Sequence, residues 1–276
     1  MLVLERVKST PALDLFRLDS RIAFITGAAG HLGRSMAKGL AEVGMHVILA
    51  GRNEEKLRTL ADELLIEGLK ASVVVVDVRD GESIKRAFTR VAEEHRRLHV
   101  LINNAYEGGS GTMETSSAES FARAYEVAVI GAFQCIVAAK PLLKAAVLET
   151  GHASIINIAS MYGIVSPDLR IYDVQGDSNP PFYGVAKAGL LQLTRYAACE
   201  YATEGIRVNA ISPGSFPNPA IRSRHAGFYE RLCTKIPLGR TGEPEELKGA
   251  VVFLASDAST FVTGANLVVD GGWTVW

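Results

Sequence analysis

The sequence predicts an α/β fold, a doubly wound and mainly parallel sheet of seven strands in a single domain. Short apolar runs alternate with stretches of helical period, and a βαβαβ order of this kind favours parallel pairing because each crossover is a helix. The first run leads directly into Gly27-Ala28-Ala29-Gly30-His31-Leu32-Gly33 and then a helical period, a turn suited to close backbone approach. The runs also end on polar or turn residues: Thr26, Asp77, Asn103-Asn104 and Pro213-Gly214, with Ser160 just past the end of another. In a parallel sheet those ends share one edge, where ligands bind.

Residues 1–18 mix charges with Pro11 and show no sustained period, so they read as an arm ahead of a domain spanning 19–276. The arm's Leu13, Leu15, Phe16 and Leu18 are available to pack on a neighbour. Strands are predicted at 22–26, 47–50, 73–76, 100–102, 154–158, 207–211 and 267–269 from their apolar, β-branched runs. Helices are predicted from the glycine turn to 43, over 53–67, 80–96 and 118–148, and from the segment carrying Tyr183 to about 201. Pro141 is the expected kink of the long helix. Residues 161–181, rich in Pro, Asp and Gly, read as irregular.

Composition narrows the function classes. A hydrophobic fraction of 48% supplies a substantial core, and a net charge of -1 provides no basic field for nucleic acid. The N-terminal apolar run stops at Glu5 and Arg6, and no later run reads as long enough to span a membrane, so a cytoplasmic protein without membrane partners is expected. Cys135, Cys199 and Cys233 show no paired metal spacing; reduced thiols and no metal are expected.

The chemistry centres on Tyr183 and Lys187, four positions apart and so on one helical face. A phenol with a pKa of about 10 exchanges protons poorly at neutrality, and bringing it to about 7 takes ~4 kcal/mol of preferential stabilisation of the phenolate. A neighbouring ammonium helped by a second cation can supply that.

With Thr26-Gly27 to Gly33, Asn103-Asn104-Ala105, Ser160 and Tyr183 to Lys187 in this order, the chain resembles the short-chain dehydrogenase/reductase family. The similarity runs from about residue 19 to 272 and includes residues 207–214 and 268–272. The resemblance implies a Rossmann fold that binds a nicotinamide dinucleotide and moves a hydride between it and a carbonyl or secondary alcohol. It implies that Tyr183 exchanges the proton, that Lys187 lowers the phenol's pKa and holds the nicotinamide ribose, and that Ser160 hydrogen-bonds the substrate oxygen. It further implies cofactor contacts from Gly27, Gly30, His31, Leu32 and Gly33 in the phosphate turn, from Asp77 and Val78 beside the adenine, and from Asn104, Ala105, Pro213, Gly214 and Asn218.

Three positions depart from the family pattern. His31 stands where a glycine is usual; either Gly30 absorbs the turn and His31 points aside, or His31 donates to a cofactor phosphate. Tyr106 replaces the glycine after Asn-Asn-Ala, and either lines the nicotinamide or substrate side of the cleft or packs beneath the loop. Ala128 falls where an asparagine commonly completes a catalytic tetrad, a role that runs through the main-chain carbonyl and a water.

The second strand ends Ala50-Gly51-Arg52-Asn53, with no carboxylate for ribose hydroxyls at Gly51 and with Arg52 placed for a 2′-phosphate, so NADP(H) is expected over NAD(H). Ser160 and Tyr183 lie 23 positions apart, a longer gap than most family members have. Asp168, Arg170, Tyr172, Asp173, Gln175 and Asp177 fall in it, and a polar overhang of this kind favours a sugar, sugar acid or keto acid, with Arg170 pairing an acidic group; the alternative is a loop packed on a neighbouring subunit. Resemblances divide between gluconate 5-dehydrogenase-like and 3-oxoacyl carrier-protein reductase-like members and those of surface-sugar and flagellin modification. The competing functions are a dinucleotide-binding protein with weak or no catalysis and a 3-oxoacyl thioester reductase. The long helix and the Tyr183 helix resemble those that pair across family dimers, and the apolar C-terminal tail at 273–276 is available to pack on another subunit, so a homodimer or homotetramer is expected.

Overall fold

A computed structural model describes residues 10–173, 178–218 and 226–276. Strands β1 (Ile22–Thr26), β2 (His46–Gly51), β3 (Lys70–Val75), β4 (Val100–Asn103), β5 (Ala153–Ile158), β6 (Ile206–Pro213) and β7 (Asn266–Val269) form one sheet in the order β3-β2-β1-β4-β5-β6-β7. Every pairing is parallel. The order reverses between β1 and β4, which opens a crevice beyond their carboxyl ends. The central strands are buried on both faces, as their nearly continuous apolar sequences require.

Alternate side chains of each strand enter opposite layers. Phe24, Ile48 and Ile155 face a layer with Phe88 of α3 (Gly81–His95) and Ile136 and Leu143 of α5 (Gly131–Thr150). Ile25, Leu49 and Ile156 face the other, with Met36 and Leu40 of α1 (His31–Glu42), Leu57 and Leu60 of α2 (Glu54–Ile66) and Val251 of a helix at Leu247–Ala255. At the entry to β1, buried His99 accepts the Ile22 N–H through Nδ1 at 3.0 Å. Desolvation pushes its pKa down to about 4, keeping the ring neutral for that role.

Several expectations are corrected here. Pro141 lies inside α5, and the departure from α geometry comes earlier and was not expected, where α4 (Ala118–Tyr125) passes into a π segment at Glu126–Ile130 before α5 begins. A π turn widens the helix by one residue, and this one holds Ala128. Within Ala118–Thr150 an 18-residue stretch reaches a mean hydropathy of 1.6, so by length and composition this helix does pass for a membrane span, contrary to the sequence reading. It packs as a core helix, with Cys135, Ala139 and Leu143 fully buried. Leu18, assigned to the arm, is fully buried in the domain, and its N–H donates to Val43 O at 2.9 Å. Trp273 packs on its own chain, whereas Val275 and Trp276 stay exposed.

Candidate active site

The β5 strand delivers Ser160 in extended conformation, and its Oγ accepts the Tyr162 N–H at 3.1 Å, capping the turn Met161–Gly163. Helix α6 (Pro181–Tyr201) starts on Pro181, whose fixed φ suits the first helical position, and presents Tyr183 one residue after the buried Phe182. A Cβ on Gly184 would lie 2.7 Å from Tyr162 O, so only glycine lets α6 approach that turn so closely. The approach brings the Tyr183 phenol near enough to Ser160 for its hydroxyl to act on the phenol's pKa.

Lys187, one helical turn on, is buried and its Nζ donates to Ile158 O at 2.6 Å. The ammonium lies 5.8 Å from the Tyr183 ring centroid and 5.3 Å from that of Tyr106. Burial pushes the Lys187 pKa down to about 8. In this state burial also pushes the Tyr183 phenol up, opposed by the Ser160 hydroxyl.

Tyr106 meets Tyr183 edge-on at 4.8 Å and packs against the apolar cluster of Ala128, Phe182, Ala186 and Leu190. Desolvation raises its phenol pKa, and its Oη is buried without a hydrogen-bond partner. Both open readings of Tyr106 hold in part, since it lines the cleft and also packs below Gly108, whose Cβ would fall 2.1 Å from the hydroxyl.

Ahead of these groups lies the glycine turn. Gly27 has φ +63°, in the left-handed region, and a Cβ on Gly33 would lie 2.4 Å from Gly27 O. The Asn104 amide braces the turn by donating to Thr26 O at 3.1 Å and Gly27 O at 3.0 Å. Thr26 Oγ1 accepts the N–H groups of Asn104 and Ala105 and donates to Ile102 O, joining β1 to the end of β4. Gly30 caps α1 without a side-chain partner, which leaves first-turn amides directed at the cleft.

The cleft has a volume of about 1060 Å³ and runs from this turn to Tyr183 and Lys187. Gly27, Gly30, His31, Leu32, Gly33, Arg52, Asp77, Val78, Asn104, Ala105, Pro213 and Gly214 all line it. Ser160 is buried and is not itself among the lining residues, although Ala159 before it and Tyr183 are. Asn218 is exposed and is not among the lining residues. Arg170 does not reach the cleft either: its guanidinium is exposed and grips Asp168 through Nε and Nη2, both at 2.8 Å. Asp168 also pairs with Lys235 at 2.7 Å, and Asp173 pairs with Arg231 of a helix at Ala226–Thr234. The expected polar overhang thus spends these charges on its own chain; Gln175 and Asp177 lie outside the described residues. What faces Tyr183 from that side is Tyr162, 6.5 Å away and edge-on to Trp273 at 6.4 Å.

Arg79, Lys56, Glu107 and Phe216 also line the cleft and were not singled out from sequence. Arg79 had a signal in its position two residues past Asp77, which it clamps through Nη2 at 2.7 Å, holding that carboxyl below its usual range. Glu107 had none, because its partners come from other strands.

Residues 27–274 match the family model described as Enoyl-(Acyl carrier protein) reductase. A short-chain type dehydrogenase/reductase from Mycobacterium marinum superposes with a TM-score of 0.85 at 32% identity, covering 96% of this chain and 99% of that one. The chain belongs to the short-chain dehydrogenase/reductase family. Within the family it is 36% identical over 264 residues to trans-4-hydroxycyclohexanecarboxylate dehydrogenase of Sinomonas cyclohexanicum, covering 94% of both. A gluconate 5-dehydrogenase from Burkholderia cenocepacia, solved with NADP and tartrate, is 33% identical with a TM-score of 0.86, covering 96% of this chain and all of that one. This family member is accordingly an NAD(P)-dependent oxidoreductase acting on CH–OH groups. The cradle sealed by Gly33 and the open α1 terminus fit a dinucleotide pyrophosphate.

Proposed function

We propose that the chain is an NADP(H)-dependent oxidoreductase that interconverts a carbonyl and a secondary alcohol on a small polar substrate, a sugar, sugar acid or keto acid. The observation that carries this reading is the convergence of Ser160, just past the end of β5, with Tyr183 and buried Lys187 on one face of α6, at the far end of the cleft from the phosphate cradle. When bound, the nicotinamide supplies or accepts the hydride. Ser160 holds the reacting oxygen and Tyr183 gives or takes its proton, so a donor and an acid/base converge on one atom. Lys187 would hold the nicotinamide ribose, Gly27, Gly30, His31, Leu32 and Gly33 the pyrophosphate, and Asp77 and Val78 the adenine. Asn104, Ala105, Pro213 and Gly214 complete the cofactor wall. Cytoplasmic placement and assembly as a homodimer or homotetramer belong to the same proposal, the assembly supported by exposed Phe133 and Val137 on α5 and Val185 and Tyr196 on α6.

A second substrate class, cyclic secondary alcohols, is favoured by the aromatic wall of Tyr162 and Trp273 in place of the expected charged loop. Following NADPH oxidation with keto-sugars, keto acids, cyclic ketones and acetoacetyl thioesters separates these classes, and the last tests the thioester-reductase alternative.

The NADP(H) assignment rests on Arg52, with Lys56 and Arg79 beside it and Gly51 where a ribose-binding carboxylate would stand. Arg52→Gln is expected to weaken NADP⁺ binding about tenfold or more, the scale of ~1.4 kcal/mol or more from a charge-assisted phosphate contact, and to change NAD⁺ binding less than twofold. Calorimetry measures both, and equal losses would overturn the assignment.

Lys187 adds a pH dependence. In the free protein its ammonium titrates at about 8, and ribose oxygens that accept its hydrogen bonds favour the charged form. Affinity for NADP⁺ is therefore full below about pH 8 and declines as pH rises through it. Lys187→Arg, charged throughout, is expected to flatten that decline; a flat wild-type profile between pH 6.5 and 9.5 contradicts the role.

A further inference from the structure

Arg52 follows β2 and Glu107 lies in the segment after β4, and the strand between β2 and β4 in the sheet is β1. A contact between the two therefore straddles the carboxyl end of β1, where the glycine turn begins. Arg52 Nη1 lies 2.8 Å from Glu107 Oε2, and Arg79 Nη1 lies 3.8 Å from the same oxygen. Both guanidiniums and Glu107 line the cofactor cleft. Glu107 Oε2 is shut off from solvent, yet it makes no hydrogen bond of acceptable alignment. Its short approach to Arg52 is one of charge without directional bonding.

The contrast with Asp77 is informative. That carboxylate receives Nε and Nη2 of Arg79 together with the Arg79 N–H, a fully oriented clamp. Glu107 has no such clamp. Its carboxylate occupies the space between two cations at the adenosine end of the cleft, held by attraction that any better-shaped anion can take over. A phosphate monoester is such an anion, with up to two charges and three oxygens able to engage a guanidinium in bidentate fashion.

We propose that Glu107 is a resident stand-in for the cofactor's 2′-phosphate and sets the margin by which the site prefers NADP(H) to NAD(H). This rests on the NADP(H) reading above. With the cleft empty, Glu107 keeps Arg52 and Arg79 turned inward in spite of their like charge. A 2′-phosphate must displace the carboxylate and then coexist with its charge, so Glu107 lowers affinity for the phosphorylated cofactor specifically. NAD(H), lacking that phosphate, does not enter the competition.

Calorimetric titration of the full chain with NADP⁺, NAD⁺ and 2′,5′-ADP tests this in wild type, Glu107→Gln, Arg52→Gln and the double variant. Glu107→Gln is expected to tighten NADP⁺ and 2′,5′-ADP about threefold to tenfold and to move NAD⁺ less than twofold. In the Arg52→Gln background the gain should shrink below twofold, because the displaced pair no longer exists. Glu107→Ala must shift NADP⁺ in the same direction, which guards against a local effect of the glutamine. If Arg52→Gln is selective for NADP⁺ but Glu107→Gln leaves it unchanged or weaker, or tightens NAD⁺ equally, the role of Glu107 is overturned while the NADP(H) reading stands. If Arg52→Gln shows no selectivity, the NADP(H) reading fails and this inference fails with it.

Discussion

Tyr183→Phe is expected to lower kcat by about 10²–10⁴-fold, the range of a lost general acid/base, while the NADP⁺ dissociation constant stays within about threefold of wild type. The substitution removes one oxygen from a ring that keeps its edge contact with Tyr106 and its place on α6. Ser160 is not orphaned, because its Oγ still accepts the Tyr162 N–H. Burial already disfavours the ionised phenol, so the neutral phenyl group suits the resting site and thermal stability should hold or rise. The split between catalysis and binding is the informative feature. Steady-state rates with any substrate found in the carbonyl screen, beside calorimetry with NADP⁺, measure it. A variant retaining wild-type turnover would remove Tyr183 from the proton transfer. A wild-type protein that binds NADP⁺ and reduces nothing would instead favour the binding-protein alternative.

The fold was legible because its signals are local and repeated. Each strand is a short apolar run, each crossover has a helical period, and the glycine turn follows β1 immediately. The cleft residues were legible for a related reason: residues at the carboxyl ends of parallel strands converge whatever the loops do, and Tyr183 and Lys187 share a helical face. Contacts between distant segments were not legible. Arg170 reads as a free cation until Asp168, two residues away, takes its guanidinium and Lys235 completes the cluster. Glu107 gains meaning only from Arg52 and Arg79, which reach it from the ends of β2 and β3. The π segment at Glu126–Ile130 carries no Gly or Pro to announce it, whereas Pro141, the one residue that marks the long helix in sequence, lies inside α5. Leu18 and Trp273 look like residues of loose ends, yet each is buried in the chain's own interior.

Gly33→Ala is expected to cost at least about a hundredfold in NADP⁺ affinity, ~2.7 kcal/mol, together with a fall in thermal stability. The added Cβ would sit 2.4 Å from Gly27 O, 2.9 Å from Ala28 O and 2.9 Å from Asn104 Nδ2. None of the three can yield cheaply. Two are main-chain oxygens of the turn itself, and the amide is fixed by its bonds to Thr26 O and Gly27 O. Relief therefore requires α1 to move away from the turn, which carries the first-turn N–H groups of α1 off the site they serve. Overpacking of this kind costs about 1–3 kcal/mol in stability, and the cofactor loss comes on top because the displaced amides are the anion donors. Gly68→Ala provides the control: Gly68 has φ +77° but nothing within 4 Å of its Cβ position, so alanine there adds backbone strain without a clash and far from the cleft. It should lower the melting temperature modestly and leave NADP⁺ binding intact. If Gly33→Ala binds NADP⁺ as wild type does while losing stability, the glycine serves packing alone and the cradle does not depend on that close approach.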